Sequence, residues 1–554
     1  MLNLLRQILH TIARPIFTPL FRRLDGYFYR KLGVQAYNQD HHYANGSFAP
    51  VHQEQTRLEV SVTGTLPADL TGDYLRNGPN PHYPPTGRMH MFDGEGMIHQ
   101  IHIAEGRAWY ANTYIRTPKF KINEAQGRDR FTHVGDLAGG GGMAMAKIIC
   151  ELIKIRLGLL PQLSRLESSS ASTSLLFHHK KLYALQEISY PFALDVDTSA
   201  DGAIVLSGAG EFERFDDQLT APFSAHVKVV PDTQEVVFFS NSTDTGEIFY
   251  AELSRGGDLK TLRAVHRETP CQGFLHDSFI TERYAICPDM SIRFKVSKLL
   301  SKHKSPWYFD ADVPLRFGVL RRTPDHDGHI PSEVTWFDTG RPGFIWHTIN
   351  AWEEPRADGG TDLLLFAPVF DDYPSTIPIH LPEEPHAHVW LWRLNLESGE
   401  ITEQRELLDR FYERPTINER YLGKPHHYAY LLDKTHPRGV LGCGVQKYHL
   451  TEERLLEHYS YGDDFGGEPL FVAKCDAAAE DDGYLLELLM NEHEASLIIL
   501  DARDLSLCAT VHLPQRVPFG VHSLWIPSSA QLESSRRGDE GAMEAIGEGL
   551  GERR

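Results

Sequence analysis

The chain has 554 residues, 41% of them hydrophobic and 23% charged, which is the composition of an ordinary water-soluble globular protein. Its formal net charge of −20 repels phosphate backbones and argues against nucleic-acid binding. It contains no run of 18 apolar residues, so no transmembrane helix is expected.

The first 33 residues stand apart. MLNLLRQILHTIARPIFTPLFRRL mixes Leu, Ile and Phe with Arg6, Arg14, Arg22 and Arg23 and carries no acidic residue before Asp25. The apolar residues recur at helical spacing, but Pro15 and Pro19 predict that no single helix runs through the segment. A basic amphipathic stretch on an acidic protein suggests contact with an anionic membrane face. The plainer alternative is a helix packed on the body. No signal peptide is visible, and the lack of serine before Ser47 argues against a transit peptide. Residues 1–44 are therefore set off as an N-terminal segment.

From Glu54 the texture changes. Short β-rich runs such as RLEVSVTG, AWYANTYI, HVWLWRLNL and SLIILD alternate with the turn signals PDTQ, DTG, ESGE and DDGY. That alternation predicts an all-β sandwich, barrel or propeller, and no internal repeat is regular enough to count blades. One body from 45 to 527 fits, because no Pro/Ser/Gly-rich linker divides it. A single stretch breaks the pattern. After Gly139–Gly142, MAMAKIICELIKIRLGLLPQL predicts a helix from Met143 to Leu159 within an insertion near 143–166, with Lys147, Lys154 and Arg156 near its edge. Its apolar side faces either the core or a lipid surface. Residues 528–554 are rich in Ser, Gly, Glu and Arg and read as a disordered tail. The six cysteines are widely spaced without a CxxC pair, as expected of isolated thiols in a reducing compartment.

Among 29 histidines, four have distinctive settings. His226, His276, His347 and His522 occur in SAHVKVVPDT, GFLHDSFITERYAI, FIWHTINAWEE and PFGVHSLWIP, each beside a strand-like run with aromatic neighbours. Ligands this widely separated suit a propeller, where each blade offers a side chain to a common axis. The spacing alone is a weak signal, and a lone histidine is more often structural than ligating. No HExxH is present.

These four segments, with LRNGPNP at Leu75–Pro81 and FDGEGMIH at Phe92–His99, resemble the carotenoid cleavage oxygenase family in order and in kind. The resemblance runs from about Ser47 to Pro527. It implies a seven-bladed β-propeller under a helical dome, with one ferrous iron on the axis held by His226, His276, His347 and His522. It also implies three glutamates behind the ligands, matching Glu187 in YALQEISYPFALD, Glu413 in FYERPTIN and Glu468 in GGEPLF. A ligating imidazole must be neutral and fixed in angle, and a carboxylate on its outer nitrogen does both. Which glutamate serves which histidine is not legible. Thr173 in SASTSLLFHH matches a threonine near the open coordination position. Imidazoles accept several metals, so the choice of iron comes from the family.

The resemblance implies dioxygen-dependent scission of an alkene into two carbonyl products, in a dry apolar tunnel. Phe274, Trp346, Trp352, Phe519 and Trp525 are candidate wall residues, though most aromatics in such settings are simply core. Stilbene cleavers of the family place a lysine just before the first glutamate. Gln186 stands there, which favours a lipophilic carotenoid or apocarotenoid. Three alternatives stay open: a stilbene cleaver, a retinoid-type isomerohydrolase and a non-enzymatic lipid-binding propeller. Cytoplasmic placement with peripheral membrane contact is expected, a plastid or other organelle being equally compatible. No obligate protein partner is expected.

Overall fold

The computed structural model describes residues 15–528, except 16, 29, 32–42, 44, 85–86, 138–139, 243–244, 266–272, 301–304, 326, 373–385, 436–440 and 521. The proposed tail from 529 onward and residues 1–14 lie outside the described residues.

Seven antiparallel sheets follow one another around a ring, each of four or five strands. Blades two to seven occupy residues 174–212, 228–265, 279–338, 350–408, 412–460 and 470–512 in chain order. Blade one is assembled from both ends of the chain. The strand His522–Pro527 pairs with Gly72–Asn80, placing Asn77 opposite His522, while Gln55–Val60 covers the outer edge. The neighbouring seam is closed by Val62–Gly64, which pairs with Leu507–His512 of blade seven. The ring is thus tied at two places. The fold is a seven-bladed β-propeller.

Position within a blade explains the sequence texture. Middle strands are sandwiched between neighbouring blades and read as continuous buried runs, as in GYLLELLM at Gly483–Met490. Outermost strands alternate, as in EITEQRELL at Glu400–Leu408, whose burial alternates with the pleat. The apolar core lies between blades. Trp352, Leu364, Phe366 and Leu391 of blade five, for example, join Tyr412, Leu431 and Tyr448 of blade six.

Two excursions rise on the face where the innermost strands begin. One holds the helices Pro118–Gln126, Val134–Leu137 and Gly141–Arg156 between blades one and two. The other, between two strands of blade four, holds the hairpin Ile292–Phe294/Trp307–Phe309 and the short helix Val296–Leu300. The longest helix packs against the latter. It differs from the expected Met143–Leu159 span by starting at Gly141 and ending at Arg156. Of the two orientations expected for its apolar side, the outward one is found. Lys147 and Lys154 are buried, bonded to Asp136 and Asp25, while Ile149, Leu152 (60% exposed) and Ile153 face outward beside Val296 and Leu300 (71%). The lysines turn inward because carboxylates wait there: Asp25 is half-buried, and Asp136 is fully buried and also accepts the Arg88 and His133 N–H groups. Asp25 comes from the N-terminal segment, which is helical over 17–28. Pro19 therefore lies inside a helix and does not interrupt it, near the N-terminal end that tolerates proline best.

Candidate metal centre

The innermost strand of every blade begins at the axis, and a residue close to that start recurs as a site residue. Blades three, four and five open at Lys228, Phe279 and Asn350, just after His226, His276 and His347. Blade one's inner strand begins at His522 itself. Blade six opens at Tyr412 beside Glu413, and blade seven at Leu470 just after Glu468. In blade two the equivalent position is Thr173, before Ser174–His178, and Glu187 follows the next strand. Seven equivalent stations thus hold four histidines, two glutamates and one threonine.

The four histidines converge. One ring nitrogen from each lies within 4.8 Å of the others. The His226 ring centroid is 4.2 Å from His276, 5.0 Å from His347 and 4.5 Å from His522. The Nε2 atoms of His226, His347 and His522 are buried with no hydrogen-bond partner. An unpaired buried polar atom is costly, and three pointing into one small space are satisfied together by a cation. The donor set therefore fits a divalent transition metal.

The glutamates sort themselves among the rings. His347 Nδ1 lies 2.6 Å from Glu413 Oε2 and His522 Nδ1 2.6 Å from Glu468 Oε1. His276 Nδ1 lies 2.8 Å from Glu187 Oε1, a close ionic contact without hydrogen-bond alignment. Among the described residues no carboxylate pairs with His226. Burial lowers the pKa of His226, and the other three histidines and Lys228 push the same way. Burial also lowers that of His347, against Glu413. Burial opposes ionisation of Glu413, but His347, Arg414 and Lys434 outweigh it and hold its pKa at about 2. Neutral imidazoles donating Nδ1–H to ionised carboxylates leave Nε2 free for a metal.

Irregular backbone aims these groups. Glu413 sits at a bulge, and the next residue, Arg414, has φ 41°, a left-handed conformation uncommon for a non-glycine. That turn brings the Arg414 N–H to 2.8 Å from Glu413 Oε2, sharing the oxygen that faces His347. Ile188 after Glu187 and Ala171 before Thr173 also have positive φ.

A further buried layer lies behind Glu468. Glu487 and Arg76 are both fully buried. Glu487 Oε1 accepts the N–H groups of Gly467 (2.8 Å) and Glu468 (3.1 Å), while Arg76 donates to Gly520 O and to the Ser523 hydroxyl. Gly467 and Gly520 are needed here, since a Cβ at either would strike the Arg76 guanidinium at 1.7 or 2.5 Å. The signal for Glu487 was a lone carboxylate inside the apolar run YLLELLM.

Thr173 is buried and donates its N–H to Leu185 O. The neighbouring Ser174 hydroxyl bonds Ala225 O, one residue from His226, so this strand abuts the histidine cluster. Of the candidate aromatics, Trp346 packs edge-on against His276 at 4.6 Å and Phe274 stacks at 5.9 Å. Trp352 and Phe519 lie in interblade cores, and Trp525 packs against one. Gln186 bonds the N–H groups of Ser170 and Ala171, fixing the chain that leads into Thr173.

Residues 48–527 match the sequence profile of the family described as Retinal pigment epithelial membrane protein. The chain belongs to the carotenoid cleavage oxygenase family. Relatives in this family include the carotenoid 9,10(9',10')-cleavage dioxygenase 1 of Arabidopsis thaliana, 32% identical over 89% of this chain and 91% of that protein. The 9-cis-epoxycarotenoid dioxygenase NCED6, a chloroplastic protein of the same plant, is 30% identical over 88% and 82%. Among solved structures, the lignostilbene dioxygenase of Pseudomonas brassicacearum superposes with a TM-score of 0.72 at 25% identity, covering 88% of this chain and 98% of that one. The apocarotenoid oxygenase of Synechocystis (a Glu150Asp mutant) gives 0.70 at 22% identity, covering 89% and 100%, and supports the fold alone. The protein is an enzyme of the dioxygenase class.

Proposed function

We propose that this enzyme is an iron(II)-dependent dioxygenase that splits one carbon–carbon double bond of a carotenoid or apocarotenoid into two carbonyl products. The observation that carries the reading is the meeting of four imidazoles with three unpartnered Nε2 atoms. His226, His276, His347 and His522 would hold the ion, and family membership is the reason to choose iron over other metals that accept imidazole. When bound, ferrous iron supplies the site at which dioxygen is activated for addition to the alkene. Glu413 and Glu468 keep the rings of His347 and His522 in the Nδ1–H tautomer, and Glu187 holds His276 by a close ionic contact. Thr173, at the one inner-strand station without a histidine or carboxylate, limits the space open to dioxygen. Trp346 and Phe274 give the cluster an apolar wall that excludes water and suits a polyene.

Two observations support a polyene over a stilbene. The relatives at 30–32% identity are named as carotenoid cleavage or epoxycarotenoid dioxygenases. At the position before Glu187, where a phenol-binding lysine would stand, Gln186 is engaged with backbone. The exposed Ile149, Leu152, Ile153, Val296 and Leu300 form an apolar surface through which the enzyme would reach a lipid-dissolved substrate, as a peripheral protein of the cytoplasmic or plastid compartment. No helix among the described residues is long and apolar enough to cross a membrane.

The test is anaerobic purification with metal analysis, then incubation with carotenoids, apocarotenoids and hydroxystilbenes under labelled dioxygen. Stoichiometric iron and labelled carbonyl products from polyenes are expected. Stoichiometric zinc with full activity would remove the iron claim. Cleavage of stilbenes alone would replace the substrate, and unlabelled isomerised product would replace the reaction.

A further inference from the structure

Among the described residues, three of the four histidines lean on a carboxylate and His226 does not. Just past the histidines lies a different device. Asp277 follows His276, Thr348 follows His347, and Lys228 lies two residues beyond His226. Asp277 Oδ2 accepts the Thr348 N–H and the Thr348 hydroxyl, each at 2.8 Å. Asp277 Oδ1 accepts the Ser278 N–H at 2.7 Å and the Lys228 ammonium at 2.9 Å. Lys228 Nζ reaches Asp277 Oδ2 at 3.1 Å and closes the triangle on Thr348 Oγ1 at 3.0 Å. Asp277 and Thr348 are buried and Lys228 nearly so.

We infer that Lys228, Asp277 and Thr348 are positioning residues for His226, replacing the carboxylate that this histidine lacks. The inference rests on the metal reading above. A strand advances about 3.4 Å per residue, so each member of the triangle is tied within one or two steps of an imidazole's backbone. The three inner strands of blades three, four and five are thereby fixed relative to one another at the level of the site. Among the described residues, the other side-chain ties at His226 and its immediate neighbours are local or lead to blade two, which carries no histidine of the cluster: Ser224 Oγ accepts the His226 N–H, and the Ser174 hydroxyl bonds Ala225 O. Asn241, on the next strand of blade three, bonds Gly273 O and the Leu275 N–H, and Lys228 ties the His226 strand itself to the strands of His276 and His347. A buried ion pair also orients more strictly than an apolar contact, since its geometry must satisfy every donor.

The test compares wild type with Lys228→Met, Lys228→Arg and Thr348→Val. The readouts are Fe(II) affinity by chelator competition and the visible spectrum of the Co(II)-loaded protein, beside thermal stability. In Lys228→Met, Asp277 keeps three backbone or hydroxyl donors, and Thr348→Val removes only a hydroxyl and carries the test if the former does not fold. Expected are a loss of affinity of roughly tenfold or more in Lys228→Met, an altered cobalt spectrum, partial restoration in Lys228→Arg and a smaller change in Thr348→Val. Wild-type affinity and spectrum in the folded variants, even at reduced stability, would overturn the inference. Failure of wild type to bind one ion per chain would overturn the metal reading itself, and is seen before any variant is made.

Discussion

Glu413 Oε2 takes two hydrogen bonds at once, from His347 Nδ1 at 2.6 Å and from the backbone N–H of Arg414 at 2.8 Å. The second bond exists because Arg414 adopts a left-handed conformation at a bulge. The carboxylate is therefore fixed before it meets the histidine, and its charge persists although it is buried. For Glu413→Gln the expected result is a folded protein with about 10- to 100-fold weaker iron binding, read as iron per chain after anaerobic gel filtration. Full occupancy in this variant would deny the carboxylate its role.

Thr173→Ala should leave iron stoichiometry unchanged, because no histidine or glutamate contact is altered. Its effect should fall on dioxygen, as a changed oxygen KM or a lower yield of cleavage per dioxygen consumed. Unchanged oxygen kinetics would return Thr173 to ordinary packing.

Burial raises the Glu487 carboxyl to about 7, with Arg76 opposing it and the Glu468 charge adding to it. A raised folded value means stability that is complete below the ordinary carboxyl range and is lost as pH climbs through about 7, by at most about 3 kcal/mol. Glu487→Gln keeps an acceptor for the Gly467 and Glu468 N–H groups and does not titrate. Its Tm relative to wild type should rise between about pH 5 and pH 8.5. A difference that does not vary with pH would mean that Glu487 stays ionised.

Asp136→Ala strands Lys147 inside the dome and removes the acceptor for the Arg88 and His133 N–H groups. Loss of one partner of a buried pair costs about 3–5 kcal/mol. Faster limited proteolysis between the helices is expected, with the propeller fragments intact. Protection equal to wild type would show that the pair is dispensable.

Leu152→Glu places a charge at the centre of the exposed apolar patch without touching the cluster. Sedimentation with liposomes should fall, while cleavage of detergent-dispersed polyene should hold. Equal liposome binding would locate membrane contact elsewhere.

The class of the fold and the identities at the axis were legible in the chain itself. Strand texture follows from local burial: GYLLELLM is covered on both faces, and EITEQRELL on one. The histidine and glutamate motifs were legible because their local contexts match a family. The pairing of Glu187 with His276, Glu413 with His347 and Glu468 with His522 was not, since it joins segments that the ring alone makes adjacent. Nor was the orientation of Gly141–Arg156. Periodicity finds an amphipathic helix but cannot say which face turns inward, and buried Asp136 and half-buried Asp25 decided that. The triangle of Lys228, Asp277 and Thr348 belongs with these. Local sequence fixes which residues begin each inner strand, because strand and turn propensities act over a few positions. Only closure of the propeller brings those beginnings to one axis, because contacts between distant segments depend on the whole ring.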